Sequence, residues 1–279
     1  MFRSGLRFAW LVPLALVLVG TAALAQNYGQ PGPWQVNLQG AATPIAEQEH
    51  SFHNFLLVII TAISLFVLGL LIWVMVRFNE NRNPTPSWTT HNTLLEVAWT
   101  IVPVLILVAI AIPSFRLLYA QYEGGDAEVT LKITGHQWYW SVEYPDQGPI
   151  GFDAIMIAEK DLKPGQPRLL AVDNDIVVPI GKLVHVQVTA ADVIHSFAVP
   201  SFGVKVDAVP GRLNDTWFTP TRLGTYYGQC SELCGRDHAF MPIAVRVVSE
   251  EDYAAWLADA KQRFADGGAG RRVAALGQN

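Results

Sequence analysis

Formal charge is absent from two long stretches of the chain, residues 51–76 and 97–115. Each is long enough to cross the ~30 Å hydrocarbon layer of a bilayer at about 1.5 Å per residue. They predict membrane helices over about 52–77 and 96–118, too long and too apolar to be buried helices of a soluble protein. Arg77 and Arg82 lie between the two runs, whereas residues 26–50 contain no Lys or Arg. The short loop is therefore expected on the cytoplasmic side and both outer ends on the far side. Pro103 and Pro113 fall inside the second run. Prolines there are tolerable where neighbouring helices satisfy the freed carbonyls, which implies a larger membrane complex.

From residue 127 the pattern changes to short apolar runs with a period of two, for example 129–134, 177–180, 183–189 and 243–248. Gly and Pro punctuate them, as in Lys163-Pro-Gly-Gln-Pro167 and Pro210-Gly-Arg212. This spacing predicts an antiparallel sandwich or barrel. Ser249 then caps a last helix, with Glu250, Glu251 and Asp252 in its first turn. Tyr253, Trp256, Leu257, Ala260 and Phe264 share one face of it, expected to lie on the sandwich.

The two ends read differently. Residues 1–25 have the form of a secretory signal peptide: Arg3 and Arg7, a short apolar core over 8–19, and Ala23-Leu-Ala25 as a small-x-small cleavage site. That core is too short to span a bilayer. Residues 26–50, rich in Gly, Pro, Gln and Asn, read as an irregular exported arm, and residues 267–279 as a disordered or processed tail. The domain plan is thus a cleaved signal (1–25), an arm (26–50), two membrane helices (51–120), an exported β domain with its last helix (121–266) and the tail (267–279).

The chain of 279 residues is 51% hydrophobic and only 15% charged, which suits membrane segments. Loss of the signal removes two of 19 basic residues and none of 24 acids, leaving a net charge of −7. A nucleic-acid partner, which needs a basic face, is excluded on that balance; a cationic partner fits it.

The chemistry is concentrated in Cys230-Ser-Glu-Leu-Cys-Gly-Arg-Asp-His-Ala-Phe-Met241, which holds both cysteines. Soft sulfur beside imidazole suits copper, zinc or iron–sulfur iron. His195, after the apolar run 183–189, is the best second imidazole and should sit at a strand end. Two thiolates with two imidazoles would hold two copper ions rather than one. A Cys230–Cys234 disulfide is the alternative in an oxidising compartment, but it leaves His238 and Met241 unexplained. A structural zinc site has no use for Met241. In His136-Gln-Trp-Tyr-Trp-Ser141, read as one strand, Trp138 and Trp140 point one way and Tyr139 the other. On the residues alone these aromatics are core, and Glu96 is a carboxylate placed at a helix start. His50, His53, His91 and His185 receive no role.

The cysteine motif resembles that of cytochrome c oxidase subunit II, as do Gly135-His-Gln-Trp-Tyr-Trp140, Val209-Pro-Gly-Arg-Leu-Asn214 and Tyr226-Tyr-Gly-Gln-Cys230. The resemblance runs from about residue 46 to 256. It implies a membrane-anchored all-β chain, a two-helix transmembrane hairpin followed by a cupredoxin-like Greek-key β-sandwich. It implies two copper ions, one taking His195 and Met241, the other His238 and the backbone carbonyl of Glu232, with Cys230 and Cys234 bridging both. The Glu232 side chain would join a magnesium or manganese site shared with subunit I. Trp138 would receive electrons from cytochrome c, and Glu96 would stand at the mouth of a proton path. Glu143, Asp146, Asp173 and Asp192 would be docking carboxylates, Asp146 in a loosely matching segment. Haem would sit only in the partner subunit, in a bacterial inner membrane with the copper domain on the periplasmic side. A quinol oxidase subunit of the same fold would lack the copper donors, and a copper-delivery protein would not need Trp138, Glu96 or the helices.

Overall fold

A computed structural model describes residues 29–122 and 124–264; the signal-peptide and tail readings lie outside these. Two long helices, α1 (Pro44–Arg77) and α2 (Thr93–Tyr122), form an antiparallel hairpin and expose their apolar side chains. Both are long and apolar enough to cross a membrane, and the chain is a membrane protein.

The helices overrun the apolar bands that predict them. Residues 44–50, expected in an irregular arm, are instead the first two turns of α1. The Thr43 hydroxyl accepts from the Ala46 N–H at 3.1 Å, Pro44 occupies the first turn, and Glu47 faces the positive end of the helix dipole. Hydrophobicity marks only what lies in hydrocarbon, and this start signal is polar. The same applies to α2, whose start is capped by the Asn92 side chain, which accepts from Leu95 N–H at 3.1 Å.

The rest is a mostly β-sheet domain of ten strands and a closing helix. The strands are β1 (Val129–His136), β2 (Tyr139–Glu143), β3 (Gly151–Ala154), β4 (Ile176–Pro179), β5 (Val184–Ala190), β6 (His195–Val199), β7 (Val204–Ala208), β8 (Asn214–Phe218), β9 (Gly224–Gln229) and β10 (Pro242–Val248). One sheet has the order β3-β2-β1-β5-β8, a second β4-β10-β9, and β6 pairs with β7. The expected purely antiparallel arrangement does not hold: β1 lies parallel to β5, and β4 parallel to β10. Period-two alternation reports which face of a strand is buried; it carries no information about the direction of a partner far away in sequence.

Val129, Leu131 and Ile133 of β1 and Val184, Val186 and Val188 of β5 point into a core shared with Phe197, Ile243 and Val245. The closing helix α3 (Glu250–Arg263) starts at Ser249, whose hydroxyl accepts from Asp252 N–H, and it lies on the domain as its apolar face predicts. Trp256 and Phe264 meet Tyr144 and Phe152 at 5.2 and 4.9 Å between ring centroids.

His136 to Ser141 is not one strand. β1 ends at His136, Gln137 and Trp138 form the tip of a hairpin, and β2 begins at Tyr139. Trp140 is fully buried as expected. Tyr139, expected in the core, is only half-buried and stacks on His136 at 4.6 Å. The turn lacks the Gly or Asn that flags a two-residue hairpin, so nothing local announces it.

The helical hairpin is mounted directly on the domain. Thr43 donates its hydroxyl hydrogen to the Phe202 carbonyl at 2.7 Å, Ala42 N–H donates to Ser201, and Thr221 N–H donates back to Ala42. Thr43 and Ala42 are fully buried at this junction.

Candidate metal centre

Strands β9 and β10 pair antiparallel with Gln229 opposite Pro242, so residues 230–241 form a loop pinched at its base. Pairing brings Cys230 and Met241, at the two ends of the motif, to the same edge of the sheet. The Ser231 N–H then donates to the Ser196 carbonyl at 3.0 Å, tying the loop to the first residues of β6. His195 opens β6, at a strand end as its position in the sequence predicts.

These constraints converge on two sulfurs. Cys230 Sγ lies 3.8 Å from Cys234 Sγ, far beyond the roughly 2.05 Å of a disulfide, and both cysteines are free. His195 Nδ1 is 3.9 Å from Cys230 Sγ, and His238 Nδ1 is 3.5 Å from Cys234 Sγ. Met241 Sδ sits 3.5 Å from Cys234 Sγ, and the Glu232 carbonyl oxygen 3.3 Å from Cys230 Sγ. His195 and both cysteines can hold a metal ion together, and His195 is wholly buried. His238 is half-buried, and the Glu232 side chain is exposed.

Supporting contacts set the orientations. The Asp192 carboxylate accepts from His195 Nε2–H at 2.8 Å, which leaves the Nδ1 lone pair facing sulfur. The same carboxylate accepts from the Gln137 backbone N–H at 2.7 Å and the Val193 N–H at 2.6 Å. Cys234 O accepts from Gln137 Nε2 at 2.8 Å and Trp138 Nε1 at 3.3 Å. Trp140 Nε1 donates to the Met241 carbonyl at 3.1 Å and stands edge-on to the His195 ring. Gly135 permits the close approach, since a Cβ there would lie 2.9 Å from the His195 ring.

The electrostatics fit a bound cation. Burial opposes ionisation of the Cys230 thiol, but contacts with His195 and the backbone of Glu232 and Ser196 bring it down to about 6. Burial, then the charge on Cys230, pushes the Cys234 thiol up to about 12. Burial alone would lower the His195 value, yet its contacts with Cys230 and Asp192 raise it. Two adjacent thiolates repel unless positive charge lies between them, and the two imidazoles and the thioether complete a soft donor set for it.

Two family profiles match this chain: cytochrome c oxidase subunit II, transmembrane domain, over residues 31–117, and cytochrome c oxidase subunit II, periplasmic domain, over residues 129–248. A probable cytochrome c oxidase subunit 2 of Rickettsia bellii is 51% identical, covering 94% of this chain and 96% of its own. The chain belongs to the cytochrome c oxidase subunit II family. The subunit 2 of Cereibacter sphaeroides is 49% identical over 88% of each chain. The periplasmic domain of subunit II of cytochrome oxidase from Bradyrhizobium japonicum is 58% identical, covering 50% of this chain and 98% of that one with a TM-score of 0.47. As a subunit II, the chain is part of an oxidase complex, and its buried soft cluster is the kind of metal site that family membership implies.

The other expected site residues are spread over the molecule. Trp138 stands at the hairpin tip against the metal loop, with the Arg236 guanidinium 5.5 Å from its ring. Glu96 is in the first turn of α2, at the end of the helices away from the β domain. Glu143 pairs with Lys132 at 3.2 Å, and Asp173 accepts from the Ile155 N–H at 2.8 Å. Asp146 is exposed and makes no hydrogen bond or ion pair among the described residues. Asp192, read from sequence as a surface acid, is the carboxylate that holds His195. The cue was present in its i, i+3 spacing from His195, but that spacing has meaning only once His195 is known to turn inward.

Proposed function

We propose that this chain is the electron-receiving subunit of a haem–copper cytochrome c oxidase, taking electrons from cytochrome c and passing them to haem in subunit I for oxygen reduction coupled to proton pumping. The observation that carries this reading is the symmetry of the donor set. Two sulfurs 3.8 Å apart are each flanked by an imidazole Nδ1, at 3.9 and 3.5 Å, with a thioether at one end and a carbonyl at the other. Bound there, a dinuclear copper centre supplies a one-electron carrier whose charge is shared between two metals.

The protein's own part is to hold and to connect. Cys230, Cys234, His195, His238, Met241 and the Glu232 carbonyl would together hold the copper ions. Burial of Cys230, Cys234, His195 and Met241 keeps water from the sulfurs. Asp192 fixes the His195 tautomer. Trp138 offers its ring to cytochrome c and its indole N–H to the Cys234 carbonyl, so the donor's contact surface and the metal loop share one hydrogen bond. Glu232 turns its carbonyl inward and leaves its carboxylate exposed, available to a hard magnesium or manganese ion at the contact with subunit I. The loop with Arg77 and Arg82 faces the cytoplasm of a bacterial inner membrane, and the β domain the periplasm.

Metal analysis of the purified subunit tests the reading: it should give two copper ions per chain and a dinuclear copper spectrum. One copper per chain, or zinc, overturns it. In the same oxidase Glu96→Ala should slow steady-state turnover roughly 10-fold or more, because intramembrane carboxylates serve ion paths. Copper reduction by cytochrome c should remain unchanged. Normal turnover in the variant returns Glu96 to the role of a helix-start carboxylate.

A further inference from the structure

The helical hairpin carries a second feature that electron transfer does not use. Where α1 and α2 approach the β domain, a groove of about 710 Å³ opens between them. Its lining mixes the apolar Phe52 and Phe55 from α1 and Pro113 and Leu117 from α2 with the polar Gln48 and Ser51. The lining also carries one charge of each sign, Glu47 and Arg116.

Among the described residues neither charged side chain makes a hydrogen bond or ion pair, although the His50 ring lies near enough to Glu47 for their charges to interact. Arg116 is the first charged residue after the charge-free run of the second helix, so it stands where hydrocarbon gives way to headgroups. At about 1.5 Å per residue, Phe52 and Phe55 lie about 7.5 and 12 Å deeper than Glu47 along α1. A ligand for this groove therefore has apolar chains below and, above them, a headgroup carrying both an anion and a hydrogen-bonding cation.

We propose that the groove binds a phospholipid with a primary ammonium headgroup, of the phosphatidylethanolamine type. Arg116 takes the phosphate through its planar fork of N–H donors, the geometry that suits phosphate oxygens. Glu47 accepts from the ammonium. The aromatic rings and the proline ring line the path of an acyl chain. Phosphatidylcholine satisfies Arg116 but brings no N–H to Glu47. Phosphatidylglycerol satisfies Arg116 and leaves the Glu47 charge unanswered. The inference rests on the membrane helices alone and is independent of the copper assignment.

The test uses the assembled oxidase containing this subunit, stripped of loose lipid in mild detergent. Native mass spectrometry then reads the phospholipid retained on the subunit after addition of phosphatidylethanolamine, phosphatidylcholine or phosphatidylglycerol at equal concentration. Phosphatidylethanolamine should be retained at least 10-fold more strongly than the other two. Glu47→Gln should abolish that preference while keeping phospholipid, and Arg116→Gln should lose all three, with partial recovery in Arg116→Lys. A photo-crosslinking residue in place of Phe55 should label lipid. Equal retention of the three lipids, no effect of Arg116→Gln, or a crosslink to a helix of another subunit would each overturn the proposal. The yield of assembled oxidase and the thermal unfolding midpoint of every variant should match the parent, which separates loss of lipid from loss of fold.

Discussion

Replacement of Cys230 by serine should leave the subunit with at most one copper ion and no dinuclear spectrum. Under the proposed reading Cys230 and Cys234 would serve both metals, and among the described residues their sulfurs stand 3.8 Å apart. A serine hydroxyl at that position stays protonated near neutral pH and is a hard donor where a soft one is needed. Loss of a residue that merely supports a ligand costs about 10–100-fold in metal affinity, and loss of a bridging donor should cost more. The fold should survive, because Cys230 lies at the mouth of a loop whose strands β9 and β10 stay paired through residues 224–229 and 242–247. Met241→Leu should behave differently. Both thiols and both imidazoles remain, so copper should stay bound while its reduction potential shifts, as expected when a weak thioether donor is removed. Metal analysis, electron paramagnetic resonance and potentiometry of the two variants would decide. Two coppers per chain in Cys230→Ser would remove the bridging role.

The second large effect should appear at Trp138. Its ring sits at the hairpin tip, half-buried against the core, and its N–H reaches the carbonyl of Cys234, a candidate metal ligand, at 3.3 Å. With cytochrome c saturating, Trp138→Ala should lower first-order electron transfer to the metal centre at least 10-fold, and salt should not restore it. Neutralising Glu143 or Asp173 should act otherwise, slowing association by long-range charge at a cost of about 1 kcal/mol or less. That effect should fade with salt, since the Debye length at 0.15 M is about 8 Å. Asp192→Asn should show both signatures. It removes one acidic charge from the surface and also the anionic acceptor of His195 Nε2–H, so the potential of the centre should move together with the association rate. Stopped-flow reduction across a salt series separates the three cases. A normal saturated rate in Trp138→Ala would make Trp138 a packing residue only.

Much of this architecture is written in local pattern. The charge-free runs give both membrane helices, and Ser249 followed by three acids gives the start of α3. The cysteine motif gives five of the candidate donors, because they lie within one loop. What local pattern withholds is the pairing of distant segments. The parallel neighbours β1 and β5 are separated by almost fifty residues, and alternation of side chains is the same in either direction. Residues 44–50 hide their helix because a cap and a polar first turn lie outside the hydrophobic signal. Asp192 looks like a surface acid until the fold turns His195 inward beneath it.

The junction at Thr43 bears on timing rather than strength. The α1 helix of 34 residues is about 51 Å long, roughly 20 Å more than the hydrocarbon it would cross. Its start is fastened to the β domain by hydrogen bonds from Thr43 to the Phe202 carbonyl, from Ala42 N–H to the Ser201 carbonyl and from Thr221 N–H to the Ala42 carbonyl, with Ala42 and Thr43 fully buried. Such a joint is a strut, not a tether. A domain on a tether would sample many heights above the bilayer. Because tunnelling slows steeply with separation, each height would carry its own rate. On the electron path proposed above, a loop fixed on a strut would meet its acceptor at one separation, and every turnover would run on the same clock.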